Sequence, residues 1–514
     1  MSDCDKNLQN SAKERALNLK ASTALRWFAS SSILVQLINW LITIFTARLI
    51  IPEAYGVLAM ADTFIPYLAL IASLNIANWV TQRISLSSRE IIYTKKLALT
   101  LGLTVFGITW FLAPLLETFY NSAQLTWAIR ALSITFVLRA ISAIPEALLQ
   151  RELKMRGVSL LQAGVAISRG VLQLFLAWLG YGVWALIAGV LLKEFAYALI
   201  LLCYLCPKVS SIEETTSATV KNSSSPSIPP FLIWKEILAF GLPVTVSTLL
   251  WIMYTTADNV VIGRTMGSAK LGLYALSFYL ADLPLSKLNS IVRPILIPFL
   301  SRLRVTSENF SNTYFQLIRF IAWISLPILA GICAASSELV SLLLGPNWLE
   351  AIHILRGLTI VCAVRAITDN IPPLFFAIGK PQPVLKFNLI CAVCLPIAFF
   401  LLGSHFGMYG IYFSWIVIYG ALSLALIRSV TKEIGRSMQE YLSNLKMPSL
   451  SAVLIGFAIY LVKYCLPGDL PVLVLLLQVV VGMASLIICL KTFAPKDLST
   501  ILKFSFPKRE ETQN

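Results

Sequence analysis

Five arginines lie inside stretches of the sequence that are otherwise almost entirely apolar. They are Arg130, Arg139, Arg169, Arg356 and Arg365. A guanidinium group stays charged at physiological pH, and its planar fork can bind two phosphate oxygens at once. Charged side chains within a membrane-spanning stretch usually mark a functional site, and arginines outnumber carboxylates here. The pattern therefore predicts a cationic cavity for an anionic ligand.

The spacing of these arginines limits which of them can share one cavity. Arg169 lies near the middle of the stretch 157–179, too far from either end to reach water easily. Arg130 and Arg139 are nine positions apart, which at about 100° per residue puts them on opposite faces of an ideal helix. One of the two can line a cavity while the other reaches an interface. The same holds for Arg356 and Arg365, which are also nine positions apart.

Four further charged residues in apolar stretches are candidates for ion pairs or ion coupling: Asp62, Asp258, Asp282 and Lys287. The adjacent Lys193 and Glu194 are a similar case. Asp282 and Lys287 are five positions apart, a spacing that does not bring two side chains together on one helix. We expect their partners to lie on other helices, as ion pairs that stabilise a bundle. The alternative is that these groups take part in binding protons or sodium as coupling ions.

Arg48 and Arg264 lie in two polar breaks that resemble each other, ARLIIPEAYGVLAMAD and GRTMGSAKLGLYALSF. When the two arginines are aligned, a glycine and an alanine further along also coincide. One interpretation is a pair of cations at an outer gate. The alternative is two arginines that reach the membrane interface, the first of them beside a turn that Pro52 begins.

The composition predicts a polytopic membrane protein. The chain has 514 residues, of which 57% are hydrophobic and only 13% charged, whereas soluble proteins carry about 25% charged residues. A spanning helix needs about 20 mostly apolar residues. The sequence therefore predicts an all-α fold with fourteen transmembrane helices, at 25–47, 56–80, 97–116, 125–144, 157–179, 183–206, 237–262, 271–298, 317–344, 351–378, 384–403, 408–428, 450–466 and 470–490.

The net charge of +16 does not indicate nucleic-acid binding, because the basic residues lie between apolar segments rather than on one polar domain. They concentrate on one side of the predicted spans, as cytoplasmic loops do, and only Arg48, Arg264 and Lys270 fall on the other side. Both termini of this multi-pass protein are therefore predicted to be cytoplasmic. The nine cysteines and two histidines form no metal-binding pattern, and no cofactor is expected.

A second pair of matching segments indicates an internal repeat. IRALSITFVLRAISAIP in the first half matches LRGLTIVCAVRAITDNIP in the second, so Arg130 aligns with Arg356 and Arg139 with Arg365. Each half has six predicted spans, so both bundles enter the membrane from the same side. The predicted organisation is a tail over 1–24, a first bundle over 25–206, a linker over 207–236, a second bundle over 237–428, a loop over 429–449, two extra helices over 450–490 and a tail over 491–514.

Several of these segments resemble one family. ARLIIPEAYGVLAMAD, RAISAIPEALLQRELKMR, LGYGVWALIAG and IPPLFFAIGKPQPVLK are similar to the oligosaccharide flippase, or polysaccharide transport, family of lipopolysaccharide biosynthesis. That family belongs to the multidrug/oligosaccharidyl-lipid/polysaccharide exporter superfamily. The likeness extends over residues 20–430.

The resemblance implies a flippase in the bacterial cytoplasmic membrane that moves an undecaprenyl-diphosphate-linked oligosaccharide from the inner to the outer leaflet. It implies neither an ATP-binding domain nor catalysis. Two alternatives stay open: a cation-coupled multidrug exporter of the same superfamily, and a flippase for the peptidoglycan lipid precursor. A membrane enzyme such as an O-antigen ligase or polymerase is disfavoured, because the predicted outer loops are short. The expected partners are the lipid-linked substrate, membrane lipid and a polysaccharide polymerase or glycosyltransferases, and the protein is expected to work as a monomer.

Overall fold

A computed structural model describes residues 36, 38–83, 86–151, 155–220, 230–306, 310–465 and 471–493. Nearly all of these residues are helical, and none of them forms a strand. The predicted tail over 1–24, most of the tail over 491–514 and the boundary at 466–470 between the last two spans lie outside the described residues. Within the described part of the chain, the fold is all-α.

The helices follow one another with short connections. They are α1 (Ile38–Leu49), α2 (Pro52–Ser73), α3 (Ile76–Gln82), α4 (Ser88–Tyr120), α5 (Leu125–Arg151), α6 (Met155–Trp178), α7 (Val183–Val220), α8 (Pro230–Thr306), α9 (Phe310–Ala334), α10 (Ser336–Leu339), α11 (Ala351–Thr368), α12 (Pro372–Ala377), α13 (Gln382–Phe406), α14 (Met408–Phe413), α15 (Gly420–Glu433), α16 (Met438–Cys465) and α17 (Pro471–Phe493). A π-helical turn, Ser414–Tyr419, joins α14 to α15.

Eleven helical segments of the described chain are long and apolar enough to cross a membrane. Many of their large apolar side chains face outward, such as Phe111 and Tyr409, each 81% exposed. Such a surface is stable in lipid and not in water. The protein is therefore an all-α polytopic membrane protein. The predicted count of fourteen is compatible with this, because α1 and the long α8 cover the remaining three predicted spans.

Local sequence signals explain several helix ends. Pro52 begins α2, at a position where the missing N–H is not needed. Ser87 and Glu90 form a capping box at the start of α4, since the Ser87 hydroxyl accepts from the Glu90 N–H and the Glu90 carboxylate accepts from the Ser87 N–H. Gly267 breaks α8 with φ 82° and ψ 177°, a backbone conformation that glycine adopts without strain. The break lies between Arg264 and Lys270.

The chain divides into two compact units, one up to Ile252 and the other from Met253 onward. In the first unit, α5 packs against α4 and α7, and α6 packs against α7. The beginning of α8 also belongs to this unit. It contacts the break between α2 and α3, where the Asn75 amide donates to the Thr245 hydroxyl over 3.1 Å.

In the second unit, α9 packs against α16 and α11, and α17 covers α16. Its interior contains the fully buried rings of Trp323, Trp348 and Trp415. Trp415 and Tyr419 come from the π-helical turn, and their ring centroids lie 5.3 Å apart. Turns of this kind often occur at functional sites because they redirect side chains within a helix.

Gly241 gives a test of how α8 packs in the first unit. A Cβ atom added there would lie 2.1 Å from the Leu74 carbonyl oxygen, which is backbone and cannot turn aside. We expect Gly241→Ala to destabilise the protein by about 1–3 kcal/mol, as overpacking does. The measurement is the melting temperature of the purified protein in detergent.

The matched control for this test is Gly107→Ala in α4, where an added Cβ meets nothing within 4 Å. Alanine favours a helix over glycine, so this variant should be as stable as the wild type or slightly more so. Equal melting temperatures for the two variants would contradict the close approach of α8 to Leu74.

Candidate functional site

A polar cavity of about 660 Å³ lies inside the first unit. Helices α1, α3, α5, α6 and α7 all contribute to its lining. Five charged side chains line it: Arg139 and Glu146 from α5, Arg169 from α6, and Lys193 and Glu194 from α7. Amides and hydroxyls complete the polar lining, from Asn39, Asn78, Ser142, Gln150, Gln162 and Tyr197. Three cations and two carboxylates give the lining one net positive charge.

Glu194 connects two of the three cations. Its carboxylate lies 2.9 Å from the Arg139 guanidinium and 3.3 Å from the Lys193 ammonium. The Glu194 side chain is only 7% exposed, whereas that of Arg139 is 49% exposed. Because Glu194 is buried behind the cations, it holds the head groups of Arg139 and Lys193 while leaving much of their surface open to the cavity.

Arg169 reaches the same cavity from α6. Its side chain packs closely against Gly189 of α7: a Cβ atom added to that glycine would lie 3.4 Å from the Arg169 Cγ. The next turn of α6 is fixed by Gln173, whose amide donates to the Thr46 hydroxyl of α1 over 3.2 Å. Asp62 of α2 is near enough to Arg169 and Arg139 to interact with both electrostatically. The structure thus brings Arg139 and Arg169, two of the five predicted arginines, to one cavity.

Arg130 has different surroundings, as its spacing from Arg139 predicts. Its guanidinium lies over the rings of Trp110, at 5.0 Å, and Trp127, at 5.2 Å from the centroid. Trp127 is itself 58% exposed. An arginine stacked on exposed tryptophans near a helix end is typical of a membrane interface.

Arg365 lies in a buried cluster of the second unit. Its guanidinium is 3.3 Å from the Asp282 carboxylate and 3.5 Å from the Asp369 carboxylate. It also lies over the rings of Phe278 and Trp415, at 5.3 and 5.8 Å. Asp282 therefore has its partner on another helix, as expected from its spacing to Lys287.

Asp258 belongs to the same part of the second unit. Its carboxylate accepts hydrogen bonds from the Tyr274 hydroxyl at 2.6 Å and from the Trp415 indole N–H at 3.0 Å. The backbone N–H of Asn259 donates to its other oxygen at 2.8 Å. Both oxygens of this buried carboxylate are thus bound by donors of the protein itself.

The other predicted residues lie apart from these clusters. Arg356 donates from Nε to the Ser336 hydroxyl over 2.7 Å and lines an apolar groove in the second unit. Arg48 at the end of α1 and Arg264 next to the break in α8 are exposed, and so is Lys287. Asp62 is also exposed, but it lies close to Arg139 and Arg169. Among the described residues, no group of three or more His, Cys, Asp or Glu is placed to hold a metal ion.

The prediction of binding residues did not include Glu194, Glu146 or Lys193. The adjacent Lys193 and Glu194 carried a signal, since they interrupt an apolar helix with opposite charges. Glu146 follows Pro145, and Gln150, one turn later, donates to its carboxylate over 3.3 Å. Two polar residues four positions apart lie on the same face of a helix, so Glu146 and Gln150 could have indicated that one face of α5 is polar.

Many apolar helices, with a charged cavity inside one bundle, are the features of a membrane transporter. Residues 45–353, more than half of the chain, match the family model described as "Polysaccharide biosynthesis protein". The chain belongs to this family.

Two curated relatives match most of the chain. A protein described as "Uncharacterized membrane protein in cps region", from Klebsiella pneumoniae, is 23% identical over 386 residues, which is 75% of this chain and 77% of that protein. The lipopolysaccharide biosynthesis protein WzxC of Escherichia coli K12 is 22% identical over 453 residues, or 87% and 89% of the two chains.

The fold is similar to that of a solved structure, the lipid II flippase MurJ in an inward closed conformation. The TM-score is 0.70 at 16% sequence identity, with 93% of this chain and 99% of that chain covered. An identity this low establishes the shared fold and not a shared substrate.

The contacts of Arg365 give a test that separates an arginine held in a buried ion-pair cluster from one that is stacked on tryptophans near a helix end. Arg365→Ala removes the guanidinium that pairs with both Asp282 and Asp369 in the interior of the second unit. We expect a loss of about 3–5 kcal/mol in stability, as for other broken buried ion pairs. The measurement is the melting temperature in detergent, next to that of Arg130→Ala.

Arg130→Ala removes a half-buried arginine that is stacked on two tryptophans and has no carboxylate partner in the described part of the chain, and it should change the stability far less. Two variants with the same small loss would mean that the ion pairs of Arg365 do not stabilise the second unit.

Proposed function

We propose that this protein is a flippase for lipid-linked oligosaccharide. It carries an undecaprenyl-diphosphate-linked glycan from the inner to the outer leaflet of the cytoplasmic membrane, for export of a cell-surface polysaccharide. The single observation that carries the proposal is the convergence of Arg139, Arg169 and Lys193 on one polar cavity within a membrane-spanning bundle.

The chemistry of such a substrate explains why this cavity is needed. The polyprenyl chain can stay in the lipid throughout. The diphosphate cannot cross hydrocarbon alone, because burying an isolated charge there is very costly. A cavity lined by cations and amides replaces the water that the diphosphate and the first sugars lose, and the two bundles expose it to each leaflet in turn.

Glu194 gives the cavity a way to release its ligand. In the absence of substrate, its carboxylate pairs with both Arg139 and Lys193 and offsets one of their two positive charges. A diphosphate that enters competes with this carboxylate for the same two cations. Because one ion pair replaces another, binding does not require a large gain in energy, and the substrate can leave again. A site that bound the diphosphate irreversibly would not transport it.

The charged lining also favours this function over export of cationic drugs. A pocket for amphipathic cations needs carboxylates that face the ligand, whereas the more exposed partner here is Arg139 and the buried one is Glu194. A flippase for the peptidoglycan lipid precursor would use the same diphosphate chemistry, and the family membership favours the polysaccharide substrate.

We infer that Asp258 and Asp282 hold the second unit together, since each already has hydrogen-bond or ion-pair partners in the protein. Asp62, exposed in α2 and close to Arg169, is the better candidate for a carboxylate that couples transport to protons or sodium. Substrate contacts by Arg356 and Arg365 and an outer gate at Arg48 and Arg264 stay predictions.

The proposed cellular arrangement follows from the sequence. The protein lies in the bacterial cytoplasmic membrane with both termini on the cytoplasmic side, and it works as a monomer without catalysis. Delivery of the lipid-linked glycan and its use on the outer side are proposed to bring it next to glycosyltransferases and a polysaccharide polymerase.

The test is transbilayer movement of a fluorescent polyprenyl-diphosphate oligosaccharide in proteoliposomes. A hydrogen bond between charged groups contributes about 1.5–3 kcal/mol, so Arg139→Ala and Arg169→Ala should each slow the movement about tenfold or more. Arg130→Ala is the matched control, because it removes an intramembrane arginine that lies outside the cavity, and it should move substrate at nearly the wild-type rate.

The same vesicles separate the alternatives. Export of a cationic dye without movement of the oligosaccharide would overturn the proposal in favour of a drug exporter. Faster movement of the peptidoglycan precursor than of the oligosaccharide would make the protein a precursor flippase. Equal slowing by all three arginine variants would remove the special role of this cavity.

A further inference from the structure

The second unit contains an apolar groove of about 710 Å³ between α9, α11 and α16. Small side chains make room for it: Ala330 and Ala334 of α9, Ala363 of α11, and Ala452 and Gly456 of α16. On its open side, Phe457 is 60% exposed. An open apolar groove on a membrane-spanning bundle is filled by lipid chains, because it has neither water nor protein to fill it.

One charged side chain lines this groove. Arg356 lies little more than one turn into α11, at the end of the span that is predicted to face outward. Its Nε donates to the neutral Ser336 hydroxyl. Among the described residues, no carboxylate pairs with Arg356. A guanidinium that borders hydrocarbon without a counter-ion is unfavourable.

The neighbouring cation is arranged differently. Lys463 of α16 lies 3.2 Å from the Glu338 carboxylate and donates to the Ser337 hydroxyl over 2.9 Å. Both cations therefore converge on the short segment from Ser336 to Glu338. Since Glu338 neutralises Lys463, the site keeps one net positive charge, which is that of Arg356. A ligand with one negative charge and an apolar chain is complementary to it.

We propose that this groove binds one anionic glycerophospholipid, with its phosphate on Arg356 and an acyl chain between α9, α11 and α16. A phospholipid is always present in the bilayer, whereas a lipid-linked substrate is present only during transport. Because the charge of Arg356 is permanent, it requires an anion that is always available. The site is therefore a resident lipid site of the second unit and is separate from the cavity that contains Arg139.

The experiment starts from protein reconstituted in vesicles with equal amounts of phosphatidylglycerol and phosphatidylethanolamine and a small amount of undecaprenyl phosphate. After mild detergent extraction, native mass spectrometry identifies the lipids that remain bound. We expect one phosphatidylglycerol per wild-type monomer. Arg356→Gln should lower the preference for phosphatidylglycerol over phosphatidylethanolamine about tenfold, the effect of losing one hydrogen bond between charged groups.

Two further variants make the result specific. Ala363→Phe fills the groove without changing any charge and should reduce the retention of every lipid. Arg130→Gln changes the arginine that aligns with Arg356 in the repeat, which is stacked on tryptophans instead, and should leave the bound lipid unchanged. Ala363→Phe also keeps the test valid if Arg356→Gln does not fold, as judged by size-exclusion chromatography.

Three results would overturn the proposal: no lipid retained by the wild type, a phosphatidylglycerol preference that Arg356→Gln leaves intact, or retention of undecaprenyl phosphate in place of phosphatidylglycerol. The last result would make the groove part of the substrate route. None of these measurements requires transport, so a failure here is distinct from a failure of the proposed flippase activity.

Discussion

The high free energy of a bare charge in hydrocarbon is the constraint on which the arrangement of this protein depends. Each intramembrane arginine must find a counter-ion, an aromatic ring or a route to the interface. Arg365 is held between two aspartates, Arg130 is stacked on two tryptophans, and Arg139 shares Glu194 with Lys193. These different solutions explain why one residue type can lie in a buried ion-pair cluster in one place and line a polar cavity in another.

The internal repeat makes the contrast between the two units sharper. Arg139 and Arg365 align in sequence, yet their carboxylate partners come from different places. Arg139 takes its partner from α7 and stays half exposed, whereas Arg365 is bound by one aspartate of α8 and by Asp369, which directly follows its own helix. A cation enclosed on several sides cannot readily exchange partners, and one that borders a cavity can. The two arginines that align in the predicted repeat therefore have different surroundings.

The sequence predicted the class of fold, and two of the arginines it singled out line the polar cavity, for clear physical reasons. Apolar stretches of spanning length can only be helices in lipid, because every backbone hydrogen bond must be made within the segment. The position of Arg169 near the middle of its predicted span was enough to single it out as a candidate cavity residue. The separation of Arg130 from Arg139 followed from helical periodicity, and the structure gives the two residues different neighbours.

What the sequence determined by itself was therefore the all-α membrane fold, the family resemblance and the presence of arginines within the spans. Only the tertiary structure decided which of them share a cavity, because that depends on how α5, α6 and α7 rotate about their axes when they pack. It also decided that Glu194 is the partner of Arg139 and that Arg356 borders an apolar groove. Those pairings join residues far apart in the chain, and periodicity within one helix cannot specify the face of another.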